Sequence, residues 1–267
     1  MTINLNNGID TPLIGYGTYG LGEKEIEQAL ALGYRSIDTA HGYGNEAEVG
    51  KAIKNSGLPR DQIFVTTKVT NGVQRENNVQ QEFEQSLINL GLDYVDLYLI
   101  HWPVKEKFVQ TWLEFEEIYA KGKARSIGVS NFQIYHFEEL LKVAKVTPVL
   151  NQIELHPYLT QEPLIAYCKQ HNIVPQAWSP LGAGKANLVE DTTILEVAKN
   201  HNKTPAQIIL RWDIQQDIVT IPKSANSGRM KSNLEIFDFE LTQEEMSAIT
   251  ALNKDMRTGP DPDNFTF

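Results

Sequence analysis

Short apolar, β-branched runs alternate with longer amphipathic runs along the whole chain, and that alternation restricts its fold more than any other feature. Eight short runs read as strands: Leu13–Gly17, Ser36–Ala40, Ile63–Val69, Val95–His101, Ser126–Asn131, Val149–Leu155, Ile173–Pro180 and Ile218–Lys223. Helical patterns lie between and after them: Glu23–Leu32, Glu46–Ser56, Glu76–Leu90, Val109–Lys121, Phe137–Val143, Glu162–His171, Thr193–Asn200 with Thr204–Gln215, and Arg229–Ile236. The stripe Val79, Phe83, Leu87 and Leu90 has the spacing of a helix face packed on a sheet. Gly33, Gly57, Gly91 and Gly122 stand just past helical runs, where a left-handed cap is wanted, and Thr204-Pro205 reads as a cap followed by the first helical residue. Strands that each return through a helix lie parallel, and eight such units in about 250 residues predict an α/β (β/α)₈ barrel. Asn7-Gly8 between Ile3–Asn4 and Ile9–Thr11 predicts an added N-terminal β-hairpin that closes the bottom of the barrel. A further helix, Gln243–Leu252, and an irregular tail, Arg257–Phe267, follow the last unit. The competing parse is an open doubly wound sheet. It would want a glycine-rich first turn, but Gly15-Tyr16-Gly17-Thr18-Tyr19-Gly20 lacks the third glycine spacing and the acid beyond it. No linker, charge block or low-complexity tract divides residues 1–267, so the reading is one domain.

Charge limits the partners. Lys plus Arg number 24 and Asp plus Glu 34, a net charge of −10. A surface this acidic repels a phosphate backbone or an anionic membrane, so neither nucleic acid nor membrane is expected. Any anionic ligand must meet a local basic cluster. The one cysteine, Cys168, forms no disulfide within the chain and suits a reducing compartment. The opening MTINLNNGID has no signal-peptide pattern, and no apolar run nears the ~18 residues of a membrane span. A cytoplasmic location is expected. His41, His136, His156, His171 and His201 show no metal-ligand spacing, so no metal is expected.

In such a barrel, chemistry gathers at the C-terminal strand ends. Those ends bear Asp38, Lys68, His101, Ser130, Asn131, Gln152, Trp178, Ser179, Lys223 and Ser224, with Tyr43 in the loop five residues past Asp38. Singly each is ordinary: a strand-end lysine is a rim charge, an aspartate before Thr-Ala a turn cap. Together they must converge on one mouth, where charged side chains are costly unless paired. Asp38 and Lys68 on neighbouring strands can form an ion pair. A lysine beside Tyr43 should lower its pKa from about 10 and ready it to give a proton to an oxygen gaining charge. His101 can orient the same oxygen. Ser130 and Ser179 have no histidine and acid set for a triad. The constellation suits protonation of the alkoxide formed when hydride reaches a carbonyl.

The residues also resemble a known family. Gly33–Ala40 with Tyr43-Gly44-Asn45-Glu46 and Val49-Gly50, then Ile127–Phe132, then Ile221-Pro222-Lys223-Ser224 with Arg229 and Asn233, are similar to the signatures of aldo-keto reductases. Thr67-Lys68, Leu99–Pro103, Asn151-Gln152 and Ala177–Gly182 match in order between them. Compact loops and Trp178 in place of a tyrosine resemble the bacterial diketogluconate-reductase-like branch. The resemblance implies an NADPH-dependent oxidoreductase that reduces aldehydes and ketones, with a catalytic tetrad on Asp38, Tyr43, Lys68 and His101. It implies that Trp178 stacks on the nicotinamide, that Ser130, Asn131 and Gln152 bond its carboxamide, and that the backbone from Ser179 through Leu181 approaches the pyrophosphate. Lys223, Ser224 and Arg229 would take the adenosine 2′-phosphate, with Asn233 beside them. Ser232 stands where many members have Glu, Ala183 where many have Ser, and Tyr19 where many have Trp. The connection after His101 is short, which predicts an open pocket walled by Tyr19, Tyr43, Trp102 and the tail around Asn264-Phe265. The expected partner is a small carbonyl compound, and the family-level expectation is a monomer. The alternative is an NADPH-binding sensor barrel with negligible turnover.

Overall fold

A computed structural model describes residues Met1–Phe267. The chain opens with a hairpin, β1 (Thr2–Asn4) and β2 (Asp10–Pro12), whose register pairs Thr2 with Pro12 and Asn4 with Asp10 around the Asn7-Gly8 turn. The parallel strands follow: β3 (Tyr16–Gly17), β4 (Ser36–Asp38), β5 (Phe64–Val69), β6 (Leu97–Ile100), β7 (Ile127–Ser130), β8 (Leu150–Glu154), β9 (Val174–Trp178) and β10 (Val219–Thr220). They form one eight-stranded sheet in sequence order. The last strand returns to the first: Ile14 bridges Thr220, with Gly15 N–H donating to Thr220 O at 2.9 Å and Thr220 N–H to Leu13 O at 2.9 Å. The sheet is a closed barrel, as the strand–helix arithmetic predicts.

The outer helices are α1 (Glu23–Leu32), α2 (Glu46–Asn55), α3 (Asn71–Glu76), α4 (Val79–Leu90), α5 (Phe108–Ala120), α6 (Ile134–Leu140), α7 (Glu162–Gln170), α8 (Thr192–His201), α9 (Pro205–Ile214), α10 (Ser227–Leu234) and α11 (Gln243–Thr250). Their starts follow from local chemistry. Thr204 accepts from Gln207 N–H and Thr242 from Glu245 N–H, each inside a reciprocal capping box. Gly91 ends α4 at φ +64°, a conformation that costs glycine little. Gly50 lets α2 and α4 touch: a Cβ there would fall 2.1 Å from Leu90 O. No helix is long and apolar enough to cross a membrane.

Most boundaries shift by one to three residues from the periodicity, and three of the shifts have a clear local cause. The expected helix Glu76–Leu90 starts three residues late, at Val79, and a separate helix not expected from the periodicity, α3, ends at Glu76, the two parted where Asn77 takes φ +57°. Asparagine tolerates that conformation, and apolar spacing alone does not register it. Helix α6 starts three residues before the expected Phe137, because Gln133 N–H bonds His136 Nδ1 in the first turn. The eighth strand is shorter than Ile218–Lys223, since Pro222 has no N–H to add to the ladder.

Leu5, from the hairpin, packs with Phe64, Leu97, Leu99, Val149, Leu150, Val174 and Val219 inside the barrel, so the hairpin plugs its N-terminal end. Asn6 Nδ2 donates to Pro148 O and Asn172 O, and Asn7 Nδ2 to Arg125 O, which ties the plug to the strand starts. The opposite end is left as the mouth.

Candidate active site

Parallel register puts the ends of β4, β5 and β6 side by side, pairing Asp38 with Thr66 and Lys68 with Leu99. The Lys68 ammonium is fully buried and donates to Asp38 Oδ1 at 2.6 Å, to Thr39 O at 2.8 Å and to the Tyr43 hydroxyl at 3.5 Å. Tyr43 ends a short 3₁₀ turn, His41–Tyr43, and His101 follows β6 directly. The two rings meet edge to face, with centroids 5.7 Å apart. All four residues predicted from the strand ends therefore converge.

Asp38 has a second partner that sequence reasoning missed. Gln152 Nε2 donates to Asp38 Oδ2 at 2.7 Å and to Gln176 Oε1 at 2.7 Å. A strand interior holding three polar residues, Asn151, Gln152 and Glu154, was the available signal. Both N–H groups of Gln152 are thereby used, and its carbonyl oxygen remains.

Burial is the largest single influence and would lower the Lys68 pKa, but the charges and hydrogen bonds of Asp38 and Tyr43 together outweigh it and raise the pKa, so the ammonium persists. Tyr43 corrects an expectation. Lys68 does pull its pKa down, yet burial pushes harder and Asp38 adds to it, so the hydroxyl is raised rather than lowered. The phenol is thus held protonated. Burial and then the Lys68 charge drive His101 down to about 3, so its ring is neutral and has one N–H to give.

The turn that presents Tyr43 is braced from below. His41 Nδ1 lies 3.0 Å from Glu46 Oε2 and 3.1 Å from Ser86 Oγ, while Glu46 Oε1 accepts from Thr67 Oγ1, beside Lys68, at 2.7 Å. Asn45 Nδ2 donates to Thr18 O and Leu21 O, fixing the other side of the turn.

The far half of the mouth carries one indole ring among polar side chains. Trp178 is half-buried, and its indole N–H donates to Asn131 Oδ1 at 2.8 Å. Asn131 sits at φ +64° and donates to His101 O and Ser130 Oγ. Ser130 Oγ donates to Gln152 O at 2.7 Å. Beyond Trp178, Ser179 is at φ +49°, and Leu181 at φ −98° precedes Gly182 at φ +67°. Pro180, between Ser179 and Leu181, has no N–H, and the Gly182 N–H donates to Ser179 O at 2.8 Å, which closes a tight turn after β9. At the start of α10, Asn226 caps Arg229 N–H, Arg229 Nε donates to Ser224 Oγ at 3.3 Å, and Lys223 and Arg229 are exposed. Asn233 is buried on the inner face of α10. An aromatic ring and a cationic helix start on a chain of charge −10 suit a ligand that carries a planar ring and negative charge.

Tyr19 and Trp102 flank the near half. The Tyr19 ring meets Tyr43 at 5.0 Å, and Lys223 Nζ lies 5.6 Å from its centroid. Trp102 is only 7% exposed because the tail covers it: Phe265 and Phe267 each pack 5.2 Å from it, and Arg75 and Asn71 donate to Phe267 O. The tail, expected as a wall around Asn264-Phe265, thus reaches Trp102 through Phe265 and Phe267.

A model of the aldo/keto reductase family matches residues 14–254. A glyoxal reductase of Bacillus subtilis is 49% identical over 271 residues, covering 100% of this chain and 98% of its own length. A 9,11-endoperoxide prostaglandin H2 reductase of Trypanosoma cruzi is 49% identical, with 98% and 95% covered. The crystal structure of an aldo/keto reductase from Brucella melitensis superimposes with a TM-score of 0.90 at 47% identity, covering 95% of this chain and 99% of that one.

Proposed function

The chain belongs to the aldo/keto reductase family, and from that premise we propose that it reduces small aldehydes and ketones to alcohols with NADPH, Tyr43 giving the proton. The observation that supports this most is the Lys68 ammonium, held between Asp38 at 2.6 Å and the Tyr43 hydroxyl at 3.5 Å with a neutral His101 across from them. When bound, the nicotinamide supplies a hydride. The chain's own residues do the rest. His101 gives a hydrogen bond to the carbonyl oxygen and orients it. The Tyr43 O–H donates its proton to that oxygen as negative charge grows there. The phenolate left on Tyr43 is stabilised by Lys68, which Asp38 and Gln152 hold in place. Asn131 and Gln152 keep oxygen lone pairs for a carboxamide N–H, with Ser130 bracing both. Trp178 carries the ring, the Ser179–Leu181 backbone meets the pyrophosphate, and Lys223, Ser224 and Arg229 meet the 2′-phosphate beside Asn233. Tyr19 and Trp102 wall the substrate.

The test is NADPH consumption against glyoxal, methylglyoxal, aromatic aldehydes and keto-sugars, with Tyr43→Phe alongside. Turnover by the wild type and a loss of about 10²–10⁴-fold in the variant are expected, with NADPH affinity nearly unchanged. A variant keeping a tenth of wild-type activity would remove Tyr43 as the acid. Tight NADPH binding with no turnover of any carbonyl would make the chain a sensor.

A further inference from the structure

Strand β8 ends on Glu154, two residues beyond Gln152 and on the same face. Its carboxylate belongs to a residue 1% exposed, and no lysine or arginine pairs with it. Oε1 accepts from Thr258 N–H at 2.6 Å, Thr258 Oγ1 at 2.6 Å and His156 Nε2 at 3.1 Å, and Oε2 accepts from Gly259 N–H at 3.1 Å. Burial alone would raise this carboxyl's pKa, but the hydrogen bonds from His156, Thr258 and Gly259 outweigh it and hold the group ionised. Three of the four donors belong to the tail, over a hundred residues downstream. A buried carboxylate spent on a surface tail needs a reason.

The reason lies against Trp178, the register partner of Glu154 on β9. Gly259 rests on the indole so closely that a Cβ there would fall 2.4 Å from Cη2 and 3.0 Å from Cζ3. Asn131 holds the ring's N–H edge, and Lys185, from the loop after β9, donates to Thr258 O at 3.1 Å. Without the Thr258–Gly259 contact, one long edge of the ring would lose its wall.

We propose that Glu154 is a positioning residue for the cofactor: it fastens Thr258 and Gly259 against Trp178, fixes the plane of that ring, and so makes Thr258–Gly259 part of the nicotinamide site. This rests on the reading of Trp178 as the nicotinamide platform. A platform already clamped need not be ordered when the cofactor arrives, and that ordering otherwise subtracts from affinity. Glycine is required at 259 by the close approach and not by backbone conformation, since its φ is not in the left-handed region.

The test uses the full chain with Gly259→Ala, Glu154→Gln, Trp178→Ala and the Gly259→Ala/Trp178→Ala double variant. NADPH affinity is measured by calorimetry and the melting temperature without cofactor. Gly259→Ala and Glu154→Gln are each expected to weaken NADPH about five- to tenfold, the scale of ordering one mobile side chain. Gly259→Ala should leave cofactor-free melting within a degree or two and should add nothing once Trp178 is removed, because its effect passes through that ring. If Glu154→Gln does not fold, the Gly259–Trp178 cycle decides by itself. Wild-type NADPH binding with Gly259→Ala within twofold of it overturns the proposal alone, as does a Gly259→Ala effect undiminished without the indole. A wild type that binds no NADPH overturns it together with the proposed function.

Discussion

At His101, burial and the Lys68 charge act in the same direction and bring the ring's pKa to about 3. Because Tyr43 is shifted the other way, neither group titrates near neutrality. Carbonyl reduction should therefore show a level kcat/KM from about pH 5 to about pH 8. An acidic limb near 6.5 that vanishes in His101→Asn would show that the imidazolium takes part. The same shift has a stability consequence. In the unfolded chain His101 titrates near 6.5 and in the folded chain near 3, so the unfolded state binds the extra proton between those values and stability falls as pH falls through that window. The identity of the four converging residues was legible in the sequence, since each stands at or just past a strand end. The direction of the Tyr43 shift was not. It depends on how completely the tyrosine is enclosed, and enclosure is contributed by Tyr19 and His101, from elements distant in sequence.

At the scale of elements, helix α10 carries the clearest prediction. Its start presents Arg229, tethered to Ser224, with Lys223 exposed beside it on a chain otherwise rich in acid. Only NADPH has the extra phosphate, and a charge-assisted hydrogen bond to it is worth about 1.5–3 kcal/mol. Arg229→Ala should raise the Kd of NADPH roughly ten- to hundredfold and leave that of NADH near its starting value. Titrations of both cofactors check this, and equal losses would mean that Arg229 serves the helix or the adenine instead. The elements were well marked in sequence wherever chemistry is local: Thr204 and Thr242 open helices and Gly91 closes one. They were badly marked where the cause is a neighbour or a single dihedral, as at Asn77 and in the two-residue β10.

For the whole molecule, the seam where β10 meets the first strand decides whether a barrel exists. Behind that seam, Asp213 of α9 is fully buried; its Oδ2 accepts from Thr220 Oγ1 at 2.8 Å, while Oδ1 has no partner. Burial raises its pKa well above the ordinary aspartate value. A carboxyl raised on folding supports the fold below its unfolded pKa and costs stability as pH rises above it, by about 1.4 kcal/mol per pH unit until the folded group itself ionises. Asp213→Asn removes that cost. Urea unfolding should show the variant gaining on the wild type between pH 5 and pH 8, and a difference constant with pH would mean that Asp213 ionises freely.

The sequence by itself determined the barrel, its hairpin plug and the four residues at its mouth, because strand–helix periodicity, turn chemistry and strand-end position are local or nearly local properties. Tertiary structure alone decided what those residues do to one another. Gln152 is spent on Asp38 across the barrel, Phe265 and Phe267 return from the tail to roof Trp102, and Glu154 reaches 104 residues ahead to Thr258. Each of these is a contact between segments with no shared pattern, and its existence depends on the closed sheet bringing strand ends and tail to one rim, where enclosure from water sets both the pairing and the pKa values.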